Sequence, residues 1–228
     1  MNRLRRGFSL LEVVMAMVLL SVGLWVTFSL FDSGSRAFRL GDAKNALTSD
    51  ARRSILALVP ALRVADADTL EIVDGRGCTS ASGQGVQRHG YALATLSHWE
   101  DPANFNPDTA DIRWDGYRVV YADLLPQGAL ISQDYRPAPG PPYAGPLLGF
   151  SEATHMANDP GLNAGASSSK VLCQSVDDFR VVYDAESQTL RVTLRLAARG
   201  GKKVGGRQMD ERSEASILVR MENSGPGS

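Results

Sequence analysis

Residues 1–7 read MNRLRRG, and residues 8–31 read FSLLEVVMAMVLLSVGLWVTFSLF. The first segment carries Arg3, Arg5 and Arg6 with no acid; the second carries a single formal charge, Glu12, in 24 residues. As a helix rising ~1.5 Å per residue, the apolar segment is about 36 Å long, enough to cross a hydrocarbon core of about 30 Å. Basic residues directly before such a span stay on the cytoplasmic side, which places the rest of the chain across the membrane. A secretory signal peptide has a shorter apolar core and a small-x-small cleavage site. This run instead ends in Leu30-Phe31-Asp32. A plain signal anchor fits the length but gives no reason for Glu12. A carboxylate deep in a bilayer costs on the order of 2.5 kcal/mol or more, and such residues tend to be paired and functional.

Working outward, residues 32–62 are polar yet still helical in pattern. Leu47, Ala51, Ile55, Leu58 and Leu62 form an amphipathic stripe, with Asp50, Arg52, Arg53 and Ser54 between them. The pattern predicts one long helix from Phe8 to about Val59, with Gly34 and Gly41 as weak points and Pro60 as its end or a kink.

After Ala65 the pattern becomes extended. Strands are expected at Thr69–Val73, Tyr91–Ser97, Tyr117–Asp123, Ala129–Asp134, Phe179–Asp184, Leu190–Ala197 and Ser216–Met221. Two hairpins stand out: one turns at Pro126-Gln127-Gly128, and the other turns within Asp184–Thr189. In the second, Val192, Leu194 and Leu196 share a face that should lie on the long helix. The fold class is therefore α+β, a long N-terminal helix packed on an antiparallel β-sheet head. The expected organisation is a basic leader at 1–7, a membrane or filament-core helix at 8–31, its amphipathic continuation at 32–62, a head at 63–222 and a disordered tail at 223–228. Gly75–Gly90, Arg136–Pro146 and Ser151–Lys170 read as long irregular loops.

Lys+Arg is 24 against Asp+Glu 25, so no global basic excess points to nucleic acid as the main partner. Cys78 and Cys173 are the full cysteine complement. One disulfide between them, the ordinary fate of a distant pair in an exported domain, and two separately buried thiols both satisfy the sequence. His89, His98 and His155 show no metal-ligand spacing, and no H-E-x-x-H, G-x-S-x-G or Walker A sequence is present. No catalytic residue, cofactor or metal is expected. Asp101–Asp111 is rich in oxygen ligands but lacks the EF-hand order, and reads as a capped turn-rich loop. Arg199, Lys202, Lys203 and Arg207, set among glycines, make a basic connection between the last two strands. Its readings are a solvated loop or a contact to DNA, an anionic surface or a neighbouring subunit.

Gly7-Phe8-Ser9-Leu10-Leu11-Glu12, behind a basic leader and ahead of the apolar run, resembles the prepilin peptidase motif of type IV pilins and type II secretion pseudopilins. The resemblance implies cleavage after Gly7, N-methylation of Phe8 and an assembly role for the Glu12 carboxylate. It also implies prepilin peptidase, other pilin or pseudopilin subunits, the inner-membrane assembly machinery and the membrane itself as partners. The implied location is the bacterial inner membrane, single-pass with the head outside the cytoplasm, and then a pilus or pseudopilus. The helix-and-hairpin layout further resembles large minor pilins of the PilW type and pseudopilins of the GspJ type. The function expected is a structural subunit, with a tip adhesin or DNA-binding module as the alternative and an anchored enzyme ranking last.

Overall fold

The computed structural model describes residues 9–107, 112, 114–136, 150–163, 165–199 and 210–221. Gly7, Phe8, most of the Arg136–Pro146 stretch, Lys202, Lys203, Arg207 and the 223–228 tail lie outside them. Contacts divide the chain into two units, Met1–Ala43 and Lys44–Ser228.

Helix α1 runs from Leu10 to Val64. In the first unit its residues 10–31 are apolar and solvent-exposed; Leu10, Leu11, Trp25, Phe28 and Phe31 are each more than two-thirds exposed. An exposed apolar stretch of this length is consistent with membrane anchoring. Within this span the Ser21 hydroxyl donates to the Met17 carbonyl at 2.7 Å and the Thr27 hydroxyl to that of Gly23 at 2.8 Å. Both polar groups are thus satisfied inside the helix, as an apolar medium demands.

The second unit holds the rest of α1 and the head. Leu47, Ala51, Ile55, Leu58 and Leu62 are all buried, as their spacing predicts. The helix does not stop before Pro60; it continues to Val64. Pro60 is exposed, as is Leu56, whose carbonyl loses its partner, while buried Leu62 and Ala65 anchor the final turn in the core. Side-chain burial on the far side of the helix outweighs one missing hydrogen bond on the wet side.

Among the described residues ten strands follow, where seven were expected: β1 (Glu71–Val73), β2 (Gly77–Thr79), β3 (Gly85–Gln87), β4 (Gly90–Thr95), β5 (Gly116–Ala122), β6 (Ala129–Tyr135), β7 (Ala166–Gln174), β8 (Val176–Asp184), β9 (Thr189–Arg199) and β10 (Asp210–Arg220). They form a five-stranded sheet in the order β1-β4-β5-β6-β7, a three-stranded sheet β10-β9-β8 and a ribbon β2-β3. Every ladder is antiparallel. Both expected hairpins form, as β5–β6 and β8–β9. Thr69 belongs to a 3-10 turn capped by Asp66 rather than to the first strand. The Gly75–Gly90 loop contains the β2-β3 ribbon. The Ser151–Lys170 loop contains helix α2 (Glu152–His155) and most of β7.

Strand alternation sorts the core into two layers. Tyr91, Leu93, Val120, Ala122 and Leu130 face the α1 stripe together with Val181, Leu190, Val192, Leu194 and Leu196, so the helix covers both sheets. Ala92, Ala94, Val119, Tyr121, Ile131 and Tyr135 face the opposite way and meet Trp114 and Met156. This is why β4 has almost no exposed position: both its faces are covered. Ser175 joins the two sheets. Its φ is 63°, its N–H donates to Gln127 O at 3.0 Å, and its carbonyl accepts from Ala197 N at 2.9 Å.

Candidate assembly site at the start of the helix

Ser9 immediately precedes α1 and Glu12 is its third helical residue. The Ser9 N–H donates to Glu12 Oε2 at 3.0 Å, and the Glu12 N–H donates to Ser9 Oγ at 3.2 Å. This reciprocal capping box satisfies two of the donors that every helix start leaves unpaired. It also holds the carboxylate at the positive end of the helix dipole. Both residues are exposed, so the carboxylate is open to a partner from another molecule. The span behind them is long and apolar enough to cross a membrane, with a mean hydropathy of 2.3 over its most apolar 18 residues.

The other residues singled out from sequence are dispersed. Cys78, on the ribbon, and Cys173, in the core on β7, are both free, so the Cys78–Cys173 bond is not formed. Cys173 is buried against the helix stripe, and Cys78 lies on a separate small sheet. Burial pushes both thiols above the ordinary range, which disfavours the reactive thiolate.

The histidines serve three different structural purposes. His89 Nδ1 lies 3.2 Å from Val181 O, inside the core. His155 Nε2 lies 3.1 Å from the Tyr117 hydroxyl, and its ring stacks on Phe150 at 5.5 Å. The exposed residue His98 offers its carbonyl to Asn104 Nδ2 at 2.8 Å. Asp101 caps a 3-10 turn by accepting from Ala103 N at 2.9 Å, and Trp99 packs on Phe105 and Trp114. Residues 108–111 of that stretch lie outside the described residues. Among the described residues no group of three or more His, Cys, Asp or Glu could hold a metal ion.

Sequence reasoning missed two buried arginines. Arg88 is fully buried, and its guanidinium donates to the carbonyls of Asp123 (2.7 Å), Leu125 (2.5 Å) and Val176 (2.5 Å), with the Asp123 carboxylate at 3.9 Å. Arg76 donates to Glu152 at 2.6 Å and to the Ala122 and Met156 carbonyls, with Tyr121 beneath it at 5.7 Å. Both close the head around the β5–β6 turn. Nothing local in the sequence marks them, because Arg76 between two glycines and Arg88 between Gln87 and His89 both read as surface.

Residues 2–28 match the family described as the prokaryotic N-terminal methylation motif. No curated protein and no solved structure matches the chain. The motif implies processing by a prepilin peptidase. The chain thus carries a prepilin-type N-terminal methylation motif on a long apolar helix, ahead of a helix-plus-sheet fold consistent with the pilin superfamily.

Proposed function

We propose that this protein is a minor pilin or pseudopilin, cut after Gly7, methylated at Phe8, held in the inner membrane by residues 8–31 and then drawn into a type IV pilus or type II secretion pseudopilus. The observation that carries the reading is the methylation motif at residues 2–28, which runs into an exposed apolar stretch of α1 whose only charge up to Phe31 is Glu12. Cleavage would give Phe8 an amine that is cationic near neutral pH, its reference pKa being about 8. With apolar helices packed together, Glu12 of one subunit would pair with the Phe8 amine of its neighbour. An unpaired carboxylate in that setting is costly, so the pair would fix axial register.

The bulky head favours a minor role over a subunit stacked many times, and its hairpin pattern favours the PilW or GspJ type. A structural subunit needs no chemistry of its own beyond this contact. The experiment is to follow the tagged protein in a host that makes the filament. It should appear in the sheared filament fraction in a peptidase-dependent manner, and Glu12→Leu should stay in the membrane. Glu12→Leu entering filaments at the wild-type level would overturn the pairing.

A further inference from the structure

Trp25, Phe28, Phe31, Ser35, Phe38 and Asp42 follow one another at spacings of three or four residues, so they share one face of α1. The four aromatic rings are all exposed, and the small residue Ser35 among them leaves a shallow groove. The groove runs from Trp25 and Phe28 past Phe31 and Ser35 to Arg39. It lies wholly within the first unit.

Two unpaired charges stand at its far end. Asp32, on the groove wall, is already paired with Arg36 one turn along. Arg39 and Asp42 are exposed, and among the described residues no ion pair engages either of them. An arginine and an aspartate three residues apart on a helix are close enough to attract each other. Here both stay open, the cation nearer the apolar span and the anion farther from it.

The level of these charges matches that of a lipid headgroup. At ~1.5 Å per residue, a hydrocarbon core of about 30 Å measured from Leu10 ends near Leu30. The headgroup layer adds about 5–7 Å on that side, reaching the level of Ser35. Arg39 is one turn beyond, and a long side chain on a helix points back toward the helix start. Its side chain accordingly lines the groove together with Ser35 and Asp32. Trp25, Phe28 and Phe31 fall where membrane helices carry their aromatic belt.

We propose that this face holds one molecule of phosphatidylethanolamine from the leaflet on the head side. Its acyl chains lie on Trp25, Phe28 and Phe31, its phosphate on Arg39 and its ammonium on Asp42. The order of charges along the helix is that of the headgroup, phosphate inside and ammonium outside. A primary ammonium donates charge-assisted hydrogen bonds to a carboxylate. A choline head has no N–H to donate, and a glycerol head carries no cation. The proposal rests on the reading of residues 8–31 as the membrane span and adds a lipid preference to it.

The test places the full processed protein in nanodiscs of equal parts phosphatidylethanolamine, phosphatidylcholine and phosphatidylglycerol. Native mass spectrometry then identifies the lipid retained on the released protein. Phosphatidylethanolamine should exceed each of the others by about fivefold, the scale of one charged contact at a membrane surface. Arg39→Gln should lower retention of all three classes by about fivefold, because they share the phosphate. Asp42→Asn should leave total retention near wild type and make the three classes equal. Arg52→Gln, farther along the exposed side of α1, should change nothing. Retained lipid in the bulk proportions, or a preference for phosphatidylglycerol, overturns the proposal while leaving the anchor reading intact. A preference that survives Asp42→Asn, or that Arg52→Gln abolishes equally, also overturns it. Failure of the wild-type chain to co-elute with the discs overturns the anchor reading and this proposal together.

Discussion

Ser9 and Glu12 hold each other through two reciprocal hydrogen bonds of 3.0 and 3.2 Å at the first turn of the helix. The residue expected to govern assembly is thus also part of the helix cap, and mutation at position 12 disturbs two things at once.

The two roles separate by substitution. Glu12→Gln retains the capping geometry and loses the charge, whereas Ser9→Ala loses the hydroxyl acceptor and keeps the charge. Ser9→Ala should weaken the first turn by about 0.5–2 kcal/mol, seen as faster amide exchange at residues 10–12 in micelles. Glu12→Gln should leave that exchange near wild type and still block filament entry. Equal fraying in both variants would show that the cap, rather than the charge, is what position 12 supplies.

Gly128 is fixed by Arg88. Its φ is +25°, and a Cβ there would stand 2.5 Å from Val176 O and 2.6 Å from the Arg88 guanidinium carbon. Gly128→Ala should destabilise the head by roughly 1–3 kcal/mol in a chemical melt, because neither the backbone carbonyl nor the caged arginine can retreat. A wild-type midpoint for this variant would contradict the cage.

Ser175 has the left-handed conformation at the step from one sheet to the next. Glycine occupies that region freely and a β-branched residue does not. Ser175→Gly should be neutral or slightly stabilising, and Ser175→Val should cost about 1–3 kcal/mol. Thermal melts of the two variants decide it; the opposite order would refute the strain.

Asp134 supplies a pH dependence. Burial raises its pKa, but hydrogen bonds from Arg118 and Ser168 and the charges of Arg118 and Arg136 outweigh this and hold it below the ordinary carboxylate range. A depressed carboxylate contributes stability that is present above its unfolded pKa, about 3.9, and lost as pH falls through the folded value. The stability gap between wild type and Asp134→Asn should therefore be largest near neutral pH and shrink below about pH 4. A gap independent of pH between neutral and acid conditions would contradict the ion pair with Arg118, seen at 2.6 Å.

The helix and its buried stripe were legible because five apolar residues recur at helical spacing, and both long hairpins because their strands alternate between apolar and polar residues. The β7 strand was not: ASSSKVLCQ is small and polar, as suits an edge strand with one exposed flank, and lacks the β-branched density that marks central strands. The β2-β3 ribbon is three residues a side and glycine-rich, too short to show alternation. The helix end was set near Val59 because proline's local rule was weighed without the tertiary burial that holds the turn after Pro60. At the helix start the opposite holds: Ser9 and Glu12 stand three apart ahead of an apolar run, and the site is local enough to be read from sequence. The Arg88 cage needed the register of strands far apart in the chain.

The measurement that bears most directly on the assembly reading is intact-protein and N-terminal peptide mass spectrometry of the chain purified from cells with and without active prepilin peptidase. The account predicts a chain beginning at N-methylated Phe8 when the peptidase is active and the full leader when it is absent. An intact Met1–Gly7 leader in cells with active peptidase, or a cut on the far side of the apolar helix, would contradict it.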